Sequence, residues 1–74
     1  MEEKIGIRTE FIKLDSLLKL AGAVPSGGEA KELINAGLVS VNGGVCEMRG
    51  KKIRPGDIVR VRGMEISVYY GKNL

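Results

Sequence analysis

The chain has 74 residues, 43% of them hydrophobic, which suits a folded protein and is too apolar for a disordered one. A single cysteine excludes an intrachain disulfide, and without histidine the usual ligands of a structural zinc site are missing. Net charge is only +3, no stretch approaches the roughly 20 apolar residues of a membrane span, and Met1-Glu2-Glu3-Lys4 does not open like a signal peptide, so a reducing cytoplasm with no membrane partner is expected.

Lys4 to Phe11 reads as extended, with Ile5 and Ile7 alternating with Gly6 and Arg8. From Leu14 the period changes. Leu14, Leu17, Leu18 and Ala21 follow i, i+3, i+4, i+7 and predict a first helix. Asp15 suits the positive end of that helix and is expected to pair with Lys19, while Gly22 is expected to end it. A second helix follows Pro25. Ser26-Gly27-Gly28-Glu29 has the spacing of a capping box, in which Ser26 caps the Glu29 N–H and the Glu29 side chain reaches back to Ser26. Ala30, Leu33 and Ile34 form its buried stripe and Gly37 its left-handed stop, over which Leu38 is expected to pack.

Beyond Gly37 the pattern is that of strands. Leu38, Val39 and Val41 run into Asn42-Gly43, a strong hairpin signal, and Val45 and Cys46 resume on the far side. Arg54-Pro55-Gly56-Asp57 predicts a type II turn. Val59 and Val61 alternate with Arg60 and Arg62, a turn is expected at Gly63-Met64, and Ile66 and Val68 alternate with polar neighbours. Ile58 falls on the side of the arginines, where alternation gives it no role. The sum is an α+β fold: two short helices packed on a small, mostly antiparallel sheet, as a single domain over residues 1–74.

Charge is unevenly spread. Residues 1–48 carry five basic and seven acidic side chains, whereas residues 49–62 carry Arg49, Lys51, Lys52, Arg54, Arg60 and Arg62 against Asp57 alone. Such asymmetry points to a polyanionic partner. Lys31 and Asn35 stand one turn apart on the expected outer face of the second helix, whose start at Ser26 offers N–H groups to a phosphate. The basic run is expected beside that helix start and outer face, giving one positive surface. Tyr69 and Tyr70 could stack on bases, although packing explains at least one of them more simply.

Catalysis is harder to assemble. Ser16, Ser26, Ser40, Ser67 and Cys46 have no histidine to activate them, and Cys46 reads as a small buried residue. Glu29 is explained as a cap. Ser26 to Lys31 lacks the Gly-Lys-Ser/Thr ending of a phosphate-binding loop. The expectation is a binding protein with no catalytic residue, no metal and no cofactor.

Lys13-Leu14-Asp15, Leu18, Gly22, Ser26, Glu29-Ala30-Lys31, Leu33-Ile34, Gly37, Val39, Val41-Asn42-Gly43 and Gly56-Asp57 stand in an order and spacing that resembles the S-four RNA-binding domain, or alpha-L RNA-binding motif. The likeness runs from about Glu10 to Arg62 and is strongest to the small stand-alone bacterial YaaA/YbcJ-like group. It implies binding to structured RNA, ribosomal or transfer, with a ribosome or a protein as a further partner. It also implies RNA contacts from Lys13, Ser26, Lys31, Lys51 and Lys52. With the residues singled out by charge and helix face, the candidate interface is Lys13, Ser26, Lys31, Asn35, Arg49, Lys51, Lys52, Arg54, Arg60 and Arg62. Two positions depart from the family pattern: Lys13 stands where many members have arginine, and Gly27 follows Ser26 where many have arginine. Larger members join this domain to an enzyme, for which this chain has no residues to spare.

Two other readings compete. A protein-interaction adaptor could keep the fold without the RNA, but has no need of such concentrated positive charge. A ubiquitin-like sulfur carrier needs a terminal Gly-Gly, whereas this chain ends Gly71-Lys72-Asn73-Leu74.

Overall fold

Fifteen apolar side chains, all Leu, Ile, Val or Ala, collapse into one buried cluster, and no polar side chain is buried among the described residues. The computed structural model describes residues 2–71; Met1 and Lys72, Asn73 and Leu74, on which the leader and sulfur-carrier readings drew, lie outside them. In chain order the elements are β1 (Glu2–Ile7), β2 (Ile12–Lys13), α1 (Leu14–Leu20), α2 (Gly27–Asn35), β3 (Val39–Val41), β4 (Gly44–Val45), β5 (Lys52–Ile53), β6 (Ile58–Val61) and β7 (Met64–Tyr70). Five strands form a mixed sheet in the order β1-β7-β6-β3-β4, and β2 and β5 form a separate two-stranded ribbon. All pairings are antiparallel except β1 with β7. The architecture is the expected α+β one.

Alternation along the strands assigns the two faces of the sheet. Val39 lies opposite Val61, Val41 opposite Val59, and Val59 opposite Ile66. With Ile5 and Val68, this face packs on the stripes of α1 (Leu14, Leu17, Leu18) and α2 (Ala30, Leu33, Ile34). Ser40, Arg60 and Glu65 register with one another on the opposite, outer face. Ile58 is on that face too, half-buried opposite Ser67. Its backbone explains its place better than its side chain: the Ile58 N–H donates to Asn42 Oδ1 at 2.9 Å, and its carbonyl accepts from the Asn42 N–H at 2.8 Å.

Several local expectations are corrected. The extended stretch ends at Ile7 rather than Phe11. Asp15 forms no ion pair with Lys19; its Oδ1 accepts from the Ser16 N–H at 2.7 Å, a partner one residue away. The capping box is half-formed: Ser26 Oγ accepts from the Glu29 N–H at 3.3 Å, but the Glu29 carboxylate turns to Arg62. Gly37 takes its left-handed conformation and the Leu38 N–H closes onto the Leu33 carbonyl at 3.1 Å, yet the Leu38 side chain is 59% exposed. Val39 must point inward, so its neighbour Leu38 points out. The last hairpin turns at Arg62-Gly63, both with positive φ, so Arg62 is a turn residue and not part of the β6 alternation.

The parallel pairing of β1 with β7 depends on a glycine. Gly6 lies opposite Tyr69 and is buried, although alternation turns it to the outer face. A Cβ on Gly6 would stand 2.9 Å from the Tyr69 ring and 2.7 Å from the Gly71 carbonyl oxygen. Tyr69 thus uses the missing side chain as its seat, whereas Tyr70 is 71% exposed. Replacing Gly6 with Ala should cost about 1–3 kcal/mol of overpacking strain. In a domain of this size, each kcal/mol lowers Tm by roughly 4–8 °C. Thermal melts of wild type and Gly6→Ala measure this, and equal Tm values would mean that β1 and β7 part freely at this point.

Candidate nucleic-acid interface

The interface is held from beneath by one carboxylate. Arg54-Pro55-Gly56-Asp57 forms the expected turn, with Gly56 at φ 98° and the Asp57 N–H on the Arg54 carbonyl at 3.0 Å. Asp57 Oδ2 accepts from the Arg54 N–H at 2.8 Å, and Oδ1 accepts from Asn42 Nδ2 at 3.0 Å. Asn42 itself is in the left-handed region, φ 50°, as the tight hairpin into β4 requires. One side chain therefore ties the β3–β4 hairpin to the turn before β6. Partial burial alone would raise the Asp57 pKa. The hydrogen bonds from Arg54 and Asn42, with the charges of Lys51 and Arg54, outweigh it and hold the carboxyl below its ordinary value.

Between these two fixed points the chain runs over the start of α1. The Leu14 N–H donates to the Lys51 carbonyl at 2.9 Å and the Asp15 N–H to the Arg49 carbonyl at 3.1 Å. These carbonyls satisfy two of the N–H groups that the first turn of a helix leaves open. Lys13, the residue at the α1 N-cap, has no side-chain cap bond, so the loop does the capping. β5 then pairs with β2 and sets Lys52 directly opposite Lys13. Lys13, Arg49, Lys51 and Lys52 are all exposed at this end, and none has an acidic group within ion-pair distance among the described residues. The Lys52 ammonium lies over the Phe11 ring, 5.0 Å from its centroid.

Of the other candidates, Arg54 directly follows β5, and the rest sit on other elements. The basic run is expected beside the start and outer face of α2, and the first half of the run is hydrogen-bonded to the start of α1. Arg62 reaches the start of α2, where it meets Glu29 Oε1 at 3.5 Å. That carboxylate already places a negative charge in the first turn of α2. Arg60 is on the outer face of the sheet, paired with Glu65 at 2.7 Å, away from the helices. Ser26, Lys31 and Asn35 are exposed on α2 as expected, and Arg54 is exposed beside the ribbon. Cys46 is half-buried against the core, its thiol 3.7 Å from the Met48 carbonyl oxygen, while Val45 and Met48 are exposed. The side chain at this end that sequence reading did not single out is Phe11. The alternation of Phe11 and Lys13 around Ile12 was its signal, hidden because two-residue strands leave too little period to read.

Asp57 gives a pH test. Its folded pKa lies below its unfolded value, so its contribution is complete above roughly pH 4, the ordinary carboxylate range, and is lost as pH falls through the folded pKa. Asp57→Ala should lose about 1–3 kcal/mol at pH 7 through its unpaired donors. The gap between wild type and variant in urea melts should narrow steadily below about pH 4. A gap that is absent at pH 7, or constant down to acid pH, would show that the carboxylate holds nothing.

Comparison with known proteins gives a consistent result. A family model described as the S4 domain matches residues 5–69. The chain is 41% identical over 63 residues to the probable ribosome maturation protein RlbA of Bacillus subtilis, covering 85% of this chain and 89% of that protein. It is 38% identical over 56 residues to the small ribosomal subunit protein uS4 of Synechococcus elongatus and 42% identical over 50 residues to that of Microcystis aeruginosa. Those matches cover 76% and 68% of this chain but only 28% and 23% of the uS4 proteins.

Proposed function

This chain belongs to the S4-domain family, and from that membership we propose that it binds structured RNA, ribosomal rather than transfer, in the cytoplasm and without catalysing a reaction. One relative is named for ribosome maturation and others are components of the small ribosomal subunit, which favours a ribosomal target. The observation that carries the reading is the group at the start of α1. Lys13, Arg49, Lys51 and Lys52 are exposed, form no ion pair with an acid among the described residues, and are mounted on backbone fixed by hydrogen bonds. Cations held in this way meet phosphates with little ordering cost, and their attraction to RNA needs no chemistry. Arg54 extends the group along the ribbon. Ser26, Lys31, Asn35 and Arg62 supply secondary contacts along α2, where the Ser26 hydroxyl can still donate to a phosphate. Arg60, paired on the far face, is the weakest of the candidates.

Counterion release gives the test. With about four phosphate contacts, log K should fall against log salt with a slope near −3, taking the single-strand coefficient as a rough guide. Replacing Lys51 and Lys52 together with Ala should flatten the slope by about one to two units and leave sequence preference nearly unchanged. Gly27 has open space around its missing side chain, so Gly27→Arg fits without strain and should tighten binding by adding a donor fork beside Ser26. The measurement is a salt titration of binding to a ribosomal RNA hairpin for wild type and both variants. A wild-type slope in the Lys51/Lys52 double variant would remove the loop from the interface and favour the adaptor reading.

A further inference from the structure

We infer that Phe11, Lys13 and Lys52 form a subsite for one unpaired nucleotide, with the base on the Phe11 ring and its phosphate between the two ammonium groups. The inference rests on the RNA-binding reading above and adds a stacking residue to it. The β2–β5 register pairs Ile12 with Ile53 and Lys13 with Lys52. Ile53 is fully buried, so this pair faces the core and the lysines face solvent. Phe11 is two residues before Lys13 and shares the solvent side, as the position of the Lys52 ammonium over its ring requires.

Three observations set this group apart from ordinary surface. First, Phe11 is half-buried yet packs neither in the core cluster nor among the side chains lining it. Second, Lys13 and Lys52 are like charges directly opposite on one ladder, an arrangement that weakens strand pairing unless an anion joins it. Among the described residues neither has an acidic partner, whereas Lys51 and Arg54 lie in the field of Asp57. Third, the backbone that carries the ring is tied down: Thr9 Oγ1 donates to the Phe11 carbonyl at 2.8 Å, and the next residue enters β2.

A nucleotide answers both needs. Its phosphate neutralises the facing lysines, and its base offers a π-face to the ring. Lys52 has a long, exposed side chain whose contact with the ring is weak in water, so it can move from ring to phosphate as the base comes in. A base inside a duplex is already stacked on both sides and cannot do this. The expected ligand is therefore RNA with unpaired bases beside a stem.

The chain has no tryptophan, so Phe11→Trp places a single reporter in the subsite. Binding of an RNA stem-loop and of a blunt RNA duplex of equal length is measured for wild type, Phe11→Leu and Phe11→Trp, with a melt of each protein. Phe11→Leu should bind the stem-loop about tenfold more weakly, about 1.4 kcal/mol, with the salt slope unchanged and duplex binding unaffected. Phe11→Trp should keep wild-type affinity, and its emission should be quenched by the stem-loop and not by the duplex. Should Phe11→Leu fold poorly, the Phe11→Trp quench decides alone. Tight stem-loop binding by wild type, with the tryptophan emission unmoved, overturns the subsite and leaves RNA binding standing. Failure of wild type to bind either RNA overturns the RNA-binding reading, and the subsite with it.

Discussion

The Asp57 carboxylate is the constraint on which the rest of the interface depends. Its two oxygens hold the Arg54 N–H and the Asn42 amide, and Asn42 in turn brackets the Ile58 backbone. Hairpin, turn and the entry to β6 are thereby joined through two side chains, those of Asp57 and Asn42. The segment between them contains only the two-residue strands β4 and β5, too short to hold a shape by their own pairing. Closed at both ends, it can be laid across α1 by two backbone hydrogen bonds. Asn42 and Asp57 are among the residues on which the resemblance to the family rests, and in this fold they brace the loop.

That brace leads to a division of labour between the faces of the molecule. The core between the helices and the inner face of the sheet takes most of the large aliphatic side chains. On the outer face Arg60 is neutralised by Glu65, and at the start of α2 Arg62 is shared with Glu29. Among the described residues, lysines and an arginine with no ion pair remain at the start of α1, where the β2–β5 ladder sets two lysines face to face. Such a pair opposes folding slightly. Sites of this kind, tolerated in the free protein and relieved by a ligand, are where binding energy is expected to concentrate.

Much of this was legible in the sequence wherever the signal is local. The stripes Leu14-Leu17-Leu18 and Ala30-Leu33-Ile34 are helical periods, and both are buried. Asn42-Gly43 and Pro55-Gly56 adopt the turns that their φ preferences demand. What escaped is non-local. Nothing near Glu2–Ile7 announces a parallel partner at Met64–Tyr70, more than fifty residues on. Glu29 satisfied a capping box on paper, but tertiary folding brought it a cation, and the ion pair won. The basic run was correctly read as one feature of composition. Which helix it would reach depended on the β2–β5 ribbon, whose two-residue strands carry no period. Phe11 was hidden for the same reason.

Residue-by-residue mapping of the RNA contact tests the central claim most directly. In an NMR titration of the 15N-labelled protein with a ribosomal RNA hairpin, the backbone amides of residues 11–16 and 49–54 should shift most. Ser40, Glu65 and Ser67, on the outer face of the sheet, should stay nearly unmoved. Shifts concentrated on that outer face, or none at low salt with RNA in excess, would contradict an RNA interface at the start of α1.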